Sequence, residues 1–504
     1  MNDITFITGT NGLGRQAPSD DKISGLVLYS ASLPSGFSAS DRIKQIFSVE
    51  DAEALGILDT YIDETQAVGS YTITAVGANG DTIKLQVTEP LGLVTIAPYT
   101  KSSLDTTVTL AAASLALSIN IGTAIHGYSA TSSVGVVTIN ARKGLGIALN
   151  SGSPLIANVT GTITGTIAQF SGGVASKQAV YHYHISEYFR LHPEGVLYLG
   201  IFAVPGGTPD FQEVKTLQDF TNGQIKQAFV YNDFSAYATA QVSALQAVAS
   251  QLEALYADLS IVYTADFTAV SNLATLTSAR LLSAKNVSVV LGQDGGNLGY
   301  TLSKAYGKTI SCAGALLGAI SSAKVSEDIA WVGKFPISDG MECEVAGMAN
   351  GQLYKNLSQG LKDQLDLYGF IFLRKIIDTT GTYFNDSHTA SAIAANDFAY
   401  IENNRVIKKA RSKVRAGLLP LLNSPLKVNP DGTLSTTDVA VFESAASQAG
   451  LEQMQRDEEI SAFKVSINPN QNVLSTSIVA VTVVIVPIGT ARQIVVTIGF
   501  ATKL

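Results

Sequence analysis

The chain has 504 residues, enough for about three domains at roughly 150 residues each, so a single small module is excluded. Charged residues are only 15% of it, against a usual share of about 25%, while 46% is apolar. A formal net charge of -8 excludes a general binder of nucleic acid or of anionic membranes, and a surface this short of charge, covered by partners or coated with Ser, Thr and Gly, suits a structural assembly.

Residues 1–20 read as an N-terminal arm, with Ile4 and Phe6 on one face before a Gly-rich turn. The opening MNDITFITGTNGLG lacks both the basic segment and the apolar core of a secretion signal. Residues 21–67 form the first part of an α/β core: ISGLVLYSA predicts a buried strand and DRIKQIFSVEDAEALGI a helix capped by Asp41. Composition then changes. Between Thr106 and Ala175 the only formal charges are Arg142 and Lys143, a composition that could also belong to a disordered segment. Alternation in DTIKLQV, SVGVVTINA and TGTITGTIA argues instead for strands, and LAAASLALSIN for one helix, so 68–175 reads as a β-rich inserted outer domain.

From 176 to 350, strands at GVLYLGIFAVP, DLSIVYTAD and NVSVVLGQD alternate with helical stretches, among them VSNLATLTSARLLSA and an all-apolar TISCAGALLGAISSA. That order predicts an α/β domain with a mostly parallel sheet covered on both faces. Residues 351–490 form a C-terminal α+β domain, with YGFIFLRKI and the apolar SIVAVTVVIVP as strands. Residues 491–504 form a C-terminal strand arm carrying Ile494, Val495, Val496 and Ile498. The window Ser477–Phe500 is broken by Pro487, Gly489, Arg492 and Gln493, which excludes a membrane helix.

Signals for chemistry are weak. YHYHISEYFRLH holds His182, His184, Glu187 and His192, but helical spacing would make His182 and His184 diverge, so no metal site is expected. The loop Gly292–Gly299 follows a strand where α/β domains bind ligands, yet it has neither the Walker pattern nor dinucleotide spacing. Cys312 and Cys343 are too few for a disulfide framework and indicate a reducing compartment. No catalytic residue, cofactor or metal is expected. The strongest local feature is the helix from Arg405, with six basic residues in eleven and an apolar stripe at Ile407, Ala410, Val414 and Leu418. It predicts an exposed ridge of Lys408, Arg411 and Arg415 that meets an acidic protein surface.

Three stretches carry a family resemblance: HYHISEYFRLHPEGVLYLGIF (182–202), FAYIENNRVIKKARSKVRAGLLPLLNSPL (398–426), and DGTLSTTDVAVF through VVTIGF (431–500). Together they resemble contractile tail sheath proteins of phages and of phage-tail-like injection systems, in a divergent DUF2586-type branch. The likeness covers about 176–504 and, more weakly, the first 66 residues. It implies a subunit without an active site, six to a ring, with rings stacked helically around a tail tube and terminal arms adding strands to neighbouring subunits. Ile4, Phe6 and the 494–498 residues would then be intersubunit contacts, and Lys408, Arg411 and Arg415 would face the tube. The implied partners are further copies, the tube protein, and baseplate and tail terminator proteins, with no direct nucleic acid and no membrane insertion. The implied place is a virion tail assembled in the bacterial cytoplasm, or a cytoplasmic injection particle. Two other readings fit the sequence: a static shell or surface-array protein, and an α/β enzyme using the 292–299 loop.

Overall fold

In the computed structural model, which describes residues 20–394, 396–496, 498 and 500, the first apolar run forms β1, Ile23–Tyr29, buried at all but its first position. The single helix expected next is divided into strand β2, Ile43–Ile46, and helix α1, Val49–Ala54. The β-branched Ile43 and Ile46 favour extended chain, and Ser48 rather than Asp41 caps the helix, its hydroxyl accepting from the Asp51 amide.

From Val68 the chain folds around a separate apolar cluster. Strands β3 (Val68–Ala75), β4 (Thr82–Glu89) and β5 (Gly92–Thr100) precede helices α2 (Val108–Ile121) and α3 (Thr123–His126). Strands β6 (Ser129–Ser133), β7 (Val136–Asn140), β8 (Leu155–Thr160) and β9 (Thr164–Ser171) follow. They make two antiparallel sheets, ordered β6-β7-β3-β9 and β5-β4-β8, and α2 sends Ala111, Leu115 and Ile119 into the shared core. Hydroxyl pairs such as Thr82–Thr160, 2.6 Å apart, link strands where charges are scarce. Arg142 is bonded by Glu89 at 2.8 Å, and Glu89 also accepts from Tyr128.

The chain returns in α4 (Lys177–Leu191), capped by Ser176, and continues through β10 (Val196–Phe202), α5 (Gln212–Phe220), β11 (Gln227–Ala236), α6 (Thr239–Ala254), β12 (Ser260–Asp266) and β13 (Val287–Val290). β14 (Gly292–Asp294), α7 (Leu298–Tyr306), α8 (Ala313–Ser322), β15 (Ala346–Met348), α9 (Gln359–Leu367) and β16 (Phe370–Ile371) follow. Seven strands form one sheet, β16-β13-β12-β11-β1-β10-β2, in which only β2 runs antiparallel. Strand alternation divides the core. Leu26 and Leu28 pack with α4 and α8, whereas Val27 and Tyr29 pack with α5 and α6. Helix α8 approaches α4 closely because Gly314 and Gly318 lack side chains; a Cβ there would lie 2.5 Å from the His184 carbonyl and 2.6 Å from the Tyr188 carbonyl.

The helix expected over VSNLATLTSARLLSA is two short 3₁₀ turns, Leu273–Thr275 and Ala279–Leu282. Asn272 caps the first, and Arg280 turns inward to bond the carbonyls of Ser391 and Ala399, so no continuous helical face forms. The strand expected at YGFIFLRKI is also divided: the Asn385 side chain takes the Phe372 amide, and β17 (Leu373–Arg374) pairs with β18 (Tyr383–Phe384). Helices α10 (Ile401–Leu418), α11 (Thr436–Ala446) and α12 (Glu452–Arg456) then lead to an antiparallel ribbon of β19 (Ile460–Ile467) and β20 (Val481–Pro487) over a small apolar cluster.

Candidate assembly surfaces

The sheet order β10-β1-β11-β12-β13 places a topological switch at the carboxyl ends of β1 and β11, where open α/β sheets bind ligands. Here that crevice is filled. Tyr181 donates to the Tyr29 carbonyl at 2.7 Å, and Asp233 accepts from Tyr306 at 2.6 Å while pairing with Lys177 at 2.9 Å. The inserted domain reaches the same end of the sheet, where the Ile147 amide donates to the Ala305 carbonyl of α7. The glycine loop is equally occupied. Buried Asp294 takes the Asn297 amide at 2.8 Å, which leaves its own carboxylate where an anionic ligand would sit. A Cβ on Gly295 or Gly296 would lie 2.8 Å from Leu353 or Val345.

The histidines are packed apart. His182 bonds Glu53 at 3.0 Å, whereas His184 lies between Phe229 and Tyr231 and burial pulls its pKa down to about 3. Among the described residues no three His, Cys, Asp or Glu side chains are arranged to hold a metal ion. Cys312 and Cys343 are fully buried, and burial raises both thiols above their ordinary range. No described helix is long and apolar enough to cross a membrane.

Helix α10 differs from the expected exposed ridge. Its first half is the buried half, with Ile401, Val406 and Ala410 inside beside Glu402, Asn404 and Arg405. Lys408 turns back onto its own chain, donating to the Leu259 carbonyl and the Ser260 hydroxyl, both at 2.9 Å. Arg411 and Arg415 stay exposed, yet Arg411 pairs with Glu253 at 2.9 Å and Arg415 lies over the Tyr256 ring at 4.3 Å. The helical spacing was legible; the carboxylates and carbonyls facing it, on a segment some 150 residues earlier, were not.

The C-terminal ribbon leaves apolar side chains in water: Val484 and Val486 are 56% and 51% exposed. Beyond it the described residues of the final arm make no strand pairing, and Ile494, Val495, Val496 and Ile498 are 70–90% exposed. The arm is fastened at its root. Arg492 pairs with Asp386 at 3.1 Å, Asp328 at 3.2 Å and Glu402, and lies 3.6 Å over the Tyr400 ring. Burial, with the crowding of Asp386 and Glu402 added to it, pushes Asp328 up to about 7. In the sequence Arg492 reads only as an interruption of an apolar run, because its three acidic partners lie in distant segments. Ile4 and Phe6 lie outside the described residues.

A mixed α/β chain of several sheets, with filled ligand positions and an exposed apolar terminus, is thus the class that fold and surface define. The chain belongs to the DUF2586 family: residues 2–388 match its N-terminal domain and residues 397–504 its C-terminal domain. No curated protein matches it by sequence. Among solved structures it is similar to a chain of the cryo-EM structure of the anti-feeding prophage (AFP) baseplate, at 13% identity and a TM-score of 0.42 over 64% of this chain and 80% of that one. It is also similar to the sheath tail protein of Listeria innocua, at 11% identity and a TM-score of 0.40 over 94% of this chain and 96% of that one.

Proposed function

We propose that this chain is the structural subunit of a contractile tail sheath, polymerising as stacked hexameric rings around a tail tube and contracting to drive the tube through a target envelope. The observation that carries the reading is the arm beyond Arg492, four apolar side chains held out in water by a chain fastened just before them. An exposed apolar segment with unpaired backbone is an aggregation liability in a monomer and a ready strand for a neighbour's sheet edge. Linked arms let subunits move as rigid bodies while remaining joined, and contraction then needs only that the contracted lattice bury more surface than the extended one. No nucleotide or cofactor enters this mechanism.

Arg411 and Arg415 are the proposed tube-facing cations, with Lys408 behind them. Baseplate and terminator proteins would meet the ends of the polymer. The inserted domain is assigned to the outer surface, and the particle to a virion tail or a cytoplasmic injection system. Electron microscopy of purified chain tests the reading. Hollow tubes of stacked rings are the expected result; flat arrays or closed shells would favour a static surface-array protein instead.

A further inference from the structure

A cavity between α10 and the edge where β11 and β12 begin has features that the assembly reading does not use. Its volume is about 210 Å³, and its wall carries five cationic side chains against two carboxylates. Among the described residues, two of these cations have no carboxylate within ion-pair distance. Arg405, 5% exposed, donates only to the carbonyls of Lys324 at 3.1 Å and Ala323 at 3.3 Å. Lys408 donates only to the Leu259 carbonyl and the Ser260 hydroxyl. Their neighbours on the same helix are neutralised, Lys409 by Asp21 and Glu459 and Arg411 by Glu253 and Asp258.

Neither charge has a carboxylate in direct contact, although Asp21 and Glu459 act on Arg405, and Asp258 and Glu253 on Lys408, through space. Burial outweighs those charges, pulling Arg405 down to about 10 and Lys408 down to about 7. Of the five guanidinium donors and three ammonium donors, those not spent on carbonyls and the hydroxyl remain for a guest. The cavity is smaller than the roughly 300–1,000 Å³ of sites for drug-sized ligands, which restricts that guest to a small ion. The remaining guanidinium and ammonium hydrogens suit tetrahedral oxygens, and Ser412 adds a hydroxyl to the wall.

We propose that this cavity binds one small oxyanion of the sulfate or phosphate class, held by Arg405 and Lys408, and that the bound ion ties α10 to the sheet. The inference stands whether or not the chain polymerises.

Isothermal titration of the full chain with sodium sulfate, at an ionic strength held constant with sodium chloride, tests it. The expected result is saturable binding of about one ion per chain, with affinity reduced about tenfold or more in Lys408→Met, which removes the ammonium, and in Ser412→Asp, which sets a tethered carboxylate in the cavity wall. Circular dichroism checks that both variants are folded, and Ser412→Asp spares both cations should Lys408→Met unfold. Heats no larger than those of the chloride control, or an affinity unchanged in the folded variants, would overturn the assignment.

Discussion

Arg492 and Lys408 illustrate opposite ways of holding a partly buried cation. Arg492 is shared by three carboxylates, so removing it would leave Asp328, Asp386 and Glu402 crowded together with only partial solvation. Arg492→Ala should therefore cost about 1–3 kcal/mol at pH 8, less than breaking a fully buried pair because the Arg492 side chain is 27% exposed. The loss should shrink towards pH 5 as Asp328, already pushed up to about 7, takes up a proton, and denaturant unfolding at the two pH values measures it. Lys408 has the reverse economy. Its folded pKa of about 7 lies below that of an unfolded lysine, so between pH 7 and about 10 the unfolded chain binds more protons and stability rises with pH. In a buffer free of sulfate and phosphate, Lys408→Met should remove about 1–2 kcal/mol of that rise, once solvent screening is allowed for. A slope identical to that of the parent chain would show that the ammonium is well solvated.

The C-terminal ribbon and the arm after it are the elements on which assembly turns. Val484→Thr and Val486→Thr change exposed positions, so each should alter monomer stability by less than about 0.5 kcal/mol while weakening polymerisation, read by unfolding and by light scattering in parallel. Equal polymerisation by both variants would remove the ribbon face from the interface. Apolar alternation made the strands of β19 and β20 readable, but not that β20 lies half in water: SIVAVTVVIVP has the composition of a core strand, and burial depends on what packs above it. The helix expected over 41–57 failed for a related reason: Ile43 and Ile46 share a face at helical spacing, but in β2, paired with β10, they enter the cores on opposite faces of the sheet.

The whole molecule couples a parallel α/β sheet to a separate inserted core and a C-terminal ribbon. Long apolar runs revealed the sheet because strands buried on both faces need them; the filling of its ligand crevice by Tyr181, Tyr306 and Lys177 depends on contacts across distant segments. Replacing 68–175 by a short Gly/Ser linker should preserve tube formation, since the Thr65–Val174 bridge shows that the two ends of the insertion lie side by side, and loss of folding would show that the insertion is part of the core. The central claim rests on the arm, and the cut must fall after Arg492 so that the acidic clamp stays intact. Negative-stain electron microscopy of the full chain beside a chain lacking residues 493–504 is the direct measurement. The account predicts hollow tubes from the full chain and folded, unpolymerised protein from the shortened one. Identical tubes from both, or none from the full chain under any assembly condition, would contradict it.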